Sequence, residues 1–320
     1  MQNLLNNTIV SSMAPVILEK HALDRANEYF QAGRIAPALG ELIDDLKARR
    51  EQEPQNWPAY ARACQNHPIC SLLHQDPFTY RAFAKPRGYA GDAVMMDYIY
   101  KLGEADHAVR NATKLGRAVF HATDKSPAKQ GVRYRRRLIA ELIDQVARRE
   151  AASVLAVAAG HLREVELSDA VQTGRLKEFA AFDQDEASLA VVARDYAHLG
   201  VRTVPGSVRH ILSGKATLGQ FDFVYAAGLF DYLSAPVAEA LTCRMFEMTR
   251  PGGLMLIPNF LTGVRDRGYM EAFMDWHLIY RNPSDMRALA AALPTNLVAD
   301  CQVFDDPDDA ITFLLVSKAS

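Results

Sequence analysis

Hydrophobic and polar positions follow two different periods along the chain, and the change falls near residue 150. Before it, apolar residues recur every three or four positions, as they do in amphipathic helices. A predicted helix over residues 35–50, for example, carries Leu39, Leu42 and Leu46 on one face and charged residues on the other. The same pattern predicts helices over residues 57–66, 77–84, 93–101, about 106–121, and 132–149. We therefore expect the amino-terminal part to be all helical.

After residue 150, short apolar runs of strand length alternate with amphipathic segments. The pattern predicts strands over residues 153–158, 178–182, 201–204, 221–226 and 253–258. It predicts helices between them over residues 164–172, 186–198 and 235–248. Strands that alternate with helices through short turns form a parallel sheet with both faces covered.

The last two apolar runs, residues 297–304 and 310–317, are joined by a short acidic turn. The turn is too short for the helical crossover that parallel strands need, so the two runs should form an antiparallel hairpin. The predicted fold is therefore an α/β, doubly wound, mostly parallel seven-stranded sheet of Rossmann-like type with an antiparallel last strand. We place an all-helical lid or substrate domain at residues 1–125 and a ligand-binding domain at residues 126–320.

The composition excludes several classes of function. Of the 320 residues 49% are apolar, and a formal net charge of −2 gives no field that would attract nucleic acid. No apolar run approaches the roughly 20 residues that span a bilayer, and residues 1–7 lack the pattern of a signal peptide. The four cysteines have no metal-like spacing, and we expect free buried thiols. We predict a cytoplasmic protein that binds neither nucleic acid nor membrane.

The first candidate chemistry lies in the turn after the first predicted strand. Ala158, Ala159 and Gly160 end that strand, and Asp183 ends the next one about two dozen positions later. A glycine turn lets a ligand approach the backbone, and an acidic residue at the second strand accepts hydrogen bonds from ribose hydroxyls. A dinucleotide site has three spaced glycines, whereas this turn has one. A plain strand-to-helix turn would show the same residues, so that alternative stays open.

Four segments in this order resemble class I S-adenosylmethionine (SAM) methyltransferases: residues 158–160, 182–185, 221–233, and the Pro-Gly-Gly turn within residues 249–257. The resemblance covers about residues 150–320 and implies the methyltransferase form of the predicted sheet, with SAM as cofactor. It implies that Asp183 holds the ribose, that Gln184 lies beside the adenine, and that Ser207, unless it is a plain turn residue, touches the adenine edge. The full set of candidate cofactor-binding residues is Tyr134, Ala159, Gly160, Arg163, Asp183, Gln184, Ser207, Val208, Ala226, Ala227 and Gly228.

Three more segments, residues 85–92, 227–233 and 269–281, are similar to bacterial 3-hydroxypalmitate methyl ester biosynthesis methyltransferases. That family carries Ser-Gly-Pro where this chain has Ala159, Gly160 and His161, so a fatty-acid substrate is not carried over. Some relatives of this fold are azetidine-2-carboxylate synthases, which close the methionine portion of SAM into a four-membered ring.

The loop at residues 85–92 is a candidate lid. Gly88 and Gly91 flank Tyr89 with flexible positions, and Asp92 can cap the following helix. The lid would place Tyr89 over bound SAM. The alternative is an ordinary turn between helices.

Residues 269–281 predict an aromatic surface. If this segment is helical, Tyr269, Phe273, Trp276 and Tyr280 share one face. Such a stripe usually belongs to the core, but here it follows the end of a sheet strand, where ligands bind. Aromatic rings would attract the sulfonium by roughly 0.5–2 kcal/mol. Together with residues that follow the fourth and fifth strands, the candidate catalytic residues are Tyr89, Asp231, Tyr232, Asn259, Trp276 and Tyr280, with Phe230 and Phe260 as further pocket residues.

Asp231 and several arginines are candidates because of their charge. Asp231 would either bind the ammonium of SAM or cap its own turn. Residues 133–137 contain four arginines, and a solvated helix face is the ordinary interpretation. One of those arginines, or Arg163, would otherwise pair with a carboxylate of SAM or substrate, because guanidinium offers a bidentate fork.

The leading hypothesis is methyl transfer from SAM to a carboxyl or hydroxyl group of a small molecule. A carboxylate is already ionised at neutral pH and needs no general base. The second hypothesis has SAM as the only substrate, with its own amine closing an azetidine ring and releasing methylthioadenosine. A nicotinamide oxidoreductase and a non-catalytic partner-binding protein are the remaining alternatives.

Overall fold

The structure is a computed structural model and describes residues 21–320. The expectation about a signal peptide concerns residues 1–7, which lie outside the described residues. The first helices are α1 His21–Gln31, α2 Ile35–Gln52, α3 Trp57–Asn66, α4 Pro68–Leu73, α5 Pro77–Ala84, α6 Ala93–Tyr100, α7 Gly103–Asn111, α8 Lys114–Ala122 and α9 Pro127–Val146. The amino-terminal part is thus helical throughout its described residues, as predicted.

Strands and helices alternate after α9. The elements are β1 Ser153–Val157, α10 Asp169–Gln172, β2 Glu178–Asp183, α11 Glu186–Tyr196, β3 Val201–Pro205, α12 Val208–Leu212, β4 Phe221–Tyr225, α13 Ala235–Glu247, β5 Thr249–Phe260, α14 Arg267–Phe273, α15 Pro283–Leu289, β6 Val298–Asp305 and β7 Ile311–Lys318. The strands form one seven-stranded sheet in the order β3-β2-β1-β4-β5-β7-β6.

The sheet confirms the predicted fold class. Strands β1 to β5 pair in parallel, and β7 runs antiparallel to both of its neighbours, β5 and β6. The predicted carboxy-terminal hairpin is therefore present. The strand order reverses between β1 and β4, and a crevice opens at such a switch point beyond the carboxyl ends of the strands. The fold thus positions a ligand site at the turns after β1, β2 and β4.

One predicted helix, residues 106–121, is wrong because the chain forms two helices there. α7 ends at Asn111, and the hydroxyl of Thr113 caps α8 by accepting a hydrogen bond from the Gly116 amide at 3.0 Å. Gly116 packs against the backbone of Gln75, where a Cβ atom would lie 2.0 Å from the carbonyl oxygen. The break lets α8 make this close approach, which only glycine permits.

The predicted helix over residues 164–172 is also wrong. A 3₁₀ turn at Arg163–Leu167 is followed by the single-turn helix α10. The carboxylate of Asp144 on α9 accepts hydrogen bonds from Ser168 Oγ at 2.7 Å and from the Ala170 amide at 2.8 Å. These bonds, together with the Ser168 cap, start a new helix in the middle of the predicted one.

The continuous helix considered for residues 269–281 does not form, since α14 covers only its first residues. α14 ends at Phe273, Asp275 adopts a left-handed backbone with φ of 45°, and an extended segment follows. The Ile279 amide donates to the Asp231 carbonyl at 2.7 Å, and the Arg281 amide donates to the Phe260 carbonyl at 3.0 Å. The backbone thus pairs with the turns after β4 and β5 instead of continuing as a helix. The proposed aromatic stripe is therefore divided between a helix and a strand-like segment.

The amphipathic helix α9 packs against the sheet as predicted, with Ile139 and Ile143 fully buried. A single cluster of buried apolar residues extends from Leu23 in α1 to Phe313 in β7. α14 joins the amino-terminal helices, because Glu271 accepts hydrogen bonds from Arg50 Nε at 2.8 Å and from Trp57 Nε1 at 2.6 Å. The domain boundary at residue 125 stays a prediction.

Two expectations from composition can be compared with the structure. Among residues 21–320, no helix combines the length and the apolar character needed to cross a membrane. All four cysteines are free, but the expectation that they are buried is wrong for Cys301, which is exposed, and for Cys243, which is half-buried.

Candidate functional site

A cavity of about 440 Å³ lies at the carboxyl ends of the parallel strands. The turns after β1, β2, β3 and β4 form its floor, and residues of α6, α9 and the loop before α6 cover it. This cavity is therefore the crevice that the strand order predicts, and the helical part of the chain covers it. Within the described chain, no cluster of His, Cys, Asp and Glu has the arrangement of a metal site.

The turn after β1 has an unusual backbone. Ala158, Gly160 and Leu162 all adopt left-handed conformations, with φ of 53°, 57° and 54°. A left-handed conformation costs a residue with a side chain roughly 1–2 kcal/mol, so Ala158 and Leu162 are strained. Strain of this kind concentrates at ligand sites. The turn therefore has three alternating left-handed residues, although the sequence supplies a glycine at only one of them.

Asp183 joins the turns after β1 and β2. Its Oδ2 accepts a hydrogen bond from the Gly160 amide and its Oδ1 accepts one from the Asp185 amide, both at 2.8 Å. Burial raises the pKa of this carboxyl, and the two amides oppose that shift. Each carboxylate oxygen has more than one acceptor site. Asp183 can therefore hold both turns and still accept hydrogen bonds from a ligand in the cavity.

The floor continues with Gln184, Ser207 and Val208, whose predicted contact with a cofactor stays a prediction. Gly206 precedes the last two, and a Cβ atom at this position would lie 2.4 Å from the ring of Phe182. Only glycine lets the chain pass so close to this ring. The end of the cavity at β2 and β3 thus offers a carboxylate and a narrow backbone-lined slot.

Asp231 lies at the opposite end of the cavity, after β4. The Phe260 amide donates to Oδ1 at 2.8 Å, and Oδ2 accepts no hydrogen bond from the described residues. The side chain is 3% exposed, and this burial raises its pKa to about 6. Asp231 therefore supports the turn and also presents a carboxylate oxygen that ionises close to neutral pH.

We expect Asp231→Asn to stabilise the protein at pH 7.5. Asparagine still accepts the Phe260 hydrogen bond without a buried charge. With a pKa near 3.8 unfolded and about 6 folded, ionisation of Asp231 costs stability progressively between about pH 4 and pH 6, and the full cost is present above pH 6. The gain should be on the order of 2 kcal/mol at pH 7.5 and vanish near pH 4. Urea unfolding at both pH values measures it, and an equal effect at both would contradict this account.

Three aromatic side chains form one corner of the cavity. Trp276 Nε1 donates to the Tyr232 hydroxyl at 2.9 Å, and the Tyr89 and Tyr232 rings meet edge to face with centroids 6.2 Å apart. Gly91 packs against this corner so closely that a Cβ atom would lie 2.1 Å from the Tyr232 hydroxyl. Phe260 and Leu278 complete the wall. This group, Tyr89, Tyr232 and Trp276, is called the aromatic corner below.

The loop at residues 85–92 lies across the cavity and is held at both ends. Lys85 forms an ion pair with Asp275, and Arg87 Nη1 donates to Asp185 Oδ2 at 2.8 Å. Asp92 caps α6 by accepting from the Met95 amide at 3.1 Å, as predicted. The loop is thus connected to the segment after α14 and to the turn after β2. Its opening and closing stays a prediction.

Most of the predicted site residues meet in this one cavity. They are Tyr89, Ala159, Gly160, Arg163, Asp183, Gln184, Ser207, Val208, Ala227, Gly228, Asp231, Tyr232 and Trp276. Four others do not line it: Tyr134, Ala226, Asn259 and Tyr280.

Each of these four residues has another environment. Tyr134 packs edge to face on Phe313 of the sheet, and Ala226 is buried in the core. Asn259 is buried and supports the segment after α14 by donating to the Ile279 carbonyl at 2.9 Å. The ring of Tyr280 lies beneath a guanidinium of α14. Asn259 lies near the end of β5 and Tyr280 lies in the segment after α14, but neither side chain lines the cavity.

Arg163 lines the cavity, but its guanidinium is occupied. It binds Asp97 at 2.7 Å, Asp195 at 2.9 Å and the Tyr196 hydroxyl at 2.8 Å. Burial opposes ionisation of Asp97, yet hydrogen bonds from His161 and Arg163 outweigh it and hold its pKa below the ordinary value. Arg163 therefore fixes the turn after β1 to α6 through Asp97. Its guanidinium is already bound, and this does not support the predicted pairing of Arg163 with a ligand carboxylate.

Several lining residues were not predicted individually. They are Ala93, Met96, Tyr100, Arg135, His161, Leu162 and Glu164. Arg135 belongs to the arginine run whose expected solvated face is wrong at this position, because Arg135 is buried. His161 Nδ1 donates a hydrogen bond to Asp97 Oδ2 at 2.8 Å. The arginine run was the available signal, but sequence spacing alone does not show which of the four enters a cavity.

No protein-family model matches the chain, and no curated protein sequence is significantly similar to it. Among solved structures, one described as a possible exported protein from Bordetella parapertussis has a TM-score of 0.58 and 14% identity, covering 72% of this chain and 80% of the other. This likeness shows a shared fold and no more.

More distant likenesses include named methyltransferases. The N-methyltransferase NodS from Bradyrhizobium japonicum, in complex with S-adenosylhomocysteine, has a TM-score of 0.43 and 14% identity, covering 62% of this chain and 91% of the other. Human N-acetylserotonin methyltransferase, in complex with SAM, also has a TM-score of 0.43 and 14% identity, covering 63% and 59%. With TM-scores below 0.5, these two likenesses are too distant to assign an activity to this chain.

Proposed function

We propose that this protein is a SAM-dependent enzyme that transfers the methyl group of SAM to a carboxyl or hydroxyl group of a small molecule. The observation that carries the proposal is the cavity itself. It places the Asp183 carboxylate and the left-handed turn at one end and the aromatic corner with Asp231 at the other. These two ends fit the two chemically different parts of SAM, an adenosine and a cationic sulfur.

The residues present fit the adenosine. Asp183 would accept hydrogen bonds from the ribose hydroxyls, and the slot at Gly206 to Val208 would hold the adenine edge. Glycine at these two turns lets the backbone that lines this end pass close to Ala93 and Phe182, since a Cβ at Gly160 would lie 3.3 Å from Ala93 and one at Gly206 would lie 2.4 Å from the Phe182 ring. Ala159 and Gln184 complete this end of the site.

The aromatic corner fits the end of SAM that carries the sulfonium and the reacting methyl group. SAM supplies a methyl group on a positively charged sulfur, which is already activated for displacement. Tyr89, Tyr232 and Trp276 would attract this cation through their ring faces and exclude water. The free Oδ2 of Asp231 would accept the proton of a hydroxyl acceptor. A carboxylate acceptor would need no such help.

Calorimetry with SAM, S-adenosylhomocysteine and NAD tests the cofactor. We expect micromolar binding of the first two and none of NAD. Binding of NAD without SAM would favour a nicotinamide oxidoreductase and overturn the proposal. Mass spectrometry of small molecules that copurify with the protein, followed by incubation of each with SAM, then identifies the acceptor by its gain of one methyl group.

The second candidate is cyclisation of SAM, which the position of Asp231 favours. A carboxylate with a pKa of about 6 beside an aromatic corner can accept the proton of the α-ammonium. The amine nitrogen would then bond to its own γ-carbon while the carbon–sulfur bond breaks. The electron pair leaves with sulfur, giving methylthioadenosine and azetidine-2-carboxylate. Incubation with SAM alone separates the candidates, because cyclisation yields both products and methyl transfer leaves SAM intact.

A further inference from the structure

The turn after β1 has the backbone of a glycine-rich turn with only one glycine. Ala158 and Leu162 are left-handed on either side of the left-handed Gly160. A residue with a side chain is disfavoured in this conformation by roughly 5- to 30-fold. Contacts from outside the turn are therefore needed to hold Ala158 and Leu162 in this shape.

Asp97 on α6 binds the two residues that flank Leu162. Its Oδ2 accepts a hydrogen bond from His161 Nδ1 at 2.8 Å, and its Oδ1 accepts one from Arg163 Nε at 2.7 Å. Arg163 Nη2 adds a third bond, to Oδ2 at 3.1 Å. Asp97 is buried, with 7% of its surface exposed. The left-handed Leu162 therefore lies between two side chains that one buried carboxylate fixes.

His161 depends on Asp97 more than Arg163 does. Arg163 also binds Asp195 at 2.9 Å and the Tyr196 hydroxyl at 2.8 Å. Among the described residues, Asp97 is the only side-chain partner of the His161 ring, whose buried Nε2 accepts and donates no hydrogen bond. Loss of Asp97 would therefore release His161, whereas Arg163 would keep other partners.

The first half of the turn is held by the sheet instead. The Ala159 amide donates to the Phe182 carbonyl at 3.1 Å, and the Gly160 amide donates to Asp183 Oδ2 at 2.8 Å. Both acceptors belong to β2. The turn thus receives support from two parts of the chain, with β2 fixing its first half and the helical part fixing its second half through α6.

We propose that Asp97 is a positioning residue that takes the place of the missing glycines in this turn. By binding His161 and Arg163 it keeps the turn in the shape that receives the cofactor, so this end of the site is preformed only while α6 lies on the turn. The inference rests on the proposed function, which places SAM against this turn. Apparent affinity falls in proportion to the fraction of molecules with the correct shape. Asp97 therefore controls affinity without touching the ligand.

Asp97→Ala should weaken binding of S-adenosylhomocysteine about tenfold in isothermal titration calorimetry, because the left-handed Leu162 loses its support. Asp97→Asn should lose less, since its amide oxygen still accepts a hydrogen bond. Asp195→Ala is the matched control. It also removes a carboxylate from Arg163 but leaves His161 bound, so its affinity should stay within about threefold of the wild type.

A second glycine in the turn should make Asp97 less necessary. Ala158→Gly removes a side chain from a left-handed position, so it should restore at least about threefold of the affinity lost in Asp97→Ala. In the wild type, where the turn is already held, the same change should have little effect. Ala151→Gly is the matched control, because Ala151 is also left-handed, with φ of 53°, but is exposed and lies before β1. It should restore no affinity.

Hydrogen exchange of the ligand-free protein tests the turn without SAM. The Leu162 amide donates to the Ala159 carbonyl at 3.0 Å, and it should exchange about tenfold faster in Asp97→Ala than in the wild type. If Asp97→Ala does not fold, Asp97→Asn serves for the same comparisons.

Three results would each overturn the inference: unchanged exchange at Leu162, unchanged affinity of the Asp97 variants, or restoration of affinity by both or neither of the two glycine variants. The proposed function fails separately. If the wild type does not bind S-adenosylhomocysteine but exchange at Leu162 responds as expected, SAM is not the ligand and Asp97 still holds the turn.

Discussion

Asp183→Ala is expected to weaken binding of S-adenosylhomocysteine roughly 100-fold. The variant removes the proposed acceptor for the ribose hydroxyls and also the acceptor for the Gly160 and Asp185 amides. Hydrogen bonds to a charged group contribute about 1.5–3 kcal/mol each, and a 100-fold change corresponds to about 2.7 kcal/mol. Asp183→Asn should lose less, because its amide oxygen still accepts a hydrogen bond. Isothermal titration calorimetry measures both variants.

Asp169→Ala is the control for this experiment, since it removes an exposed carboxylate from the same part of the chain. Circular dichroism should confirm that all variants are folded. If Asp183→Ala bound S-adenosylhomocysteine within threefold of the wild type, the adenosine could not lie at the end of β2. The assignment of both ends of the cavity would then be wrong.

Gly91→Ala is expected to disrupt the aromatic corner and lower the affinity for S-adenosylhomocysteine about tenfold. The new Cβ would lie 2.1 Å from the Tyr232 hydroxyl and 2.6 Å from Cζ2 of Trp276. Non-bonded atoms do not approach so closely, so the lid loop or the rings must move. Overpacking of this kind costs roughly 1–3 kcal/mol. Calorimetry with S-adenosylhomocysteine measures the effect on binding, and thermal unfolding should show a loss of stability of the same order.

Gly263→Ala is the matched control, because a Cβ there meets no atom within 4 Å. Tyr232→Phe combined with Gly91→Ala should recover part of the lost affinity, since it removes the atom closest to the new methyl group. An unaffected Gly91→Ala variant would show that the loop is not packed against the corner when ligand binds. In that case the lid would have to close in a different position.

The site depends on both parts of the chain. The floor comes from the strand ends, whereas Tyr89 comes from the loop before α6, Met96 from α6 and Arg135 from α9. Asp97 on α6 holds the glycine turn through His161 and Arg163. A change in the helical part should therefore alter the binding site even where it does not touch the ligand.

The sequence by itself determined the sheet and the positions of its turns. Strand-length apolar runs and a hairpin too short for a crossover are local features, and they predicted an antiparallel last strand that β7 confirms. The positions of Asp183 and Gly160 at neighbouring turns were predicted in the same way, because the end of a predicted strand is also the edge of the sheet. These predictions needed no knowledge of which distant segments meet.

Only the tertiary structure decided how the side chains are used. Residues 269–281 have the spacing of an aromatic helix face, but hydrogen bonds to Asp231 and Phe260 extend the chain after Phe273. Arg163 is occupied by Asp97, whereas Arg135 lines the cavity and forms no ion pair with the residues that the structure describes. A residue's partners come from segments far away in the chain, so its role depends on packing that local pattern does not encode.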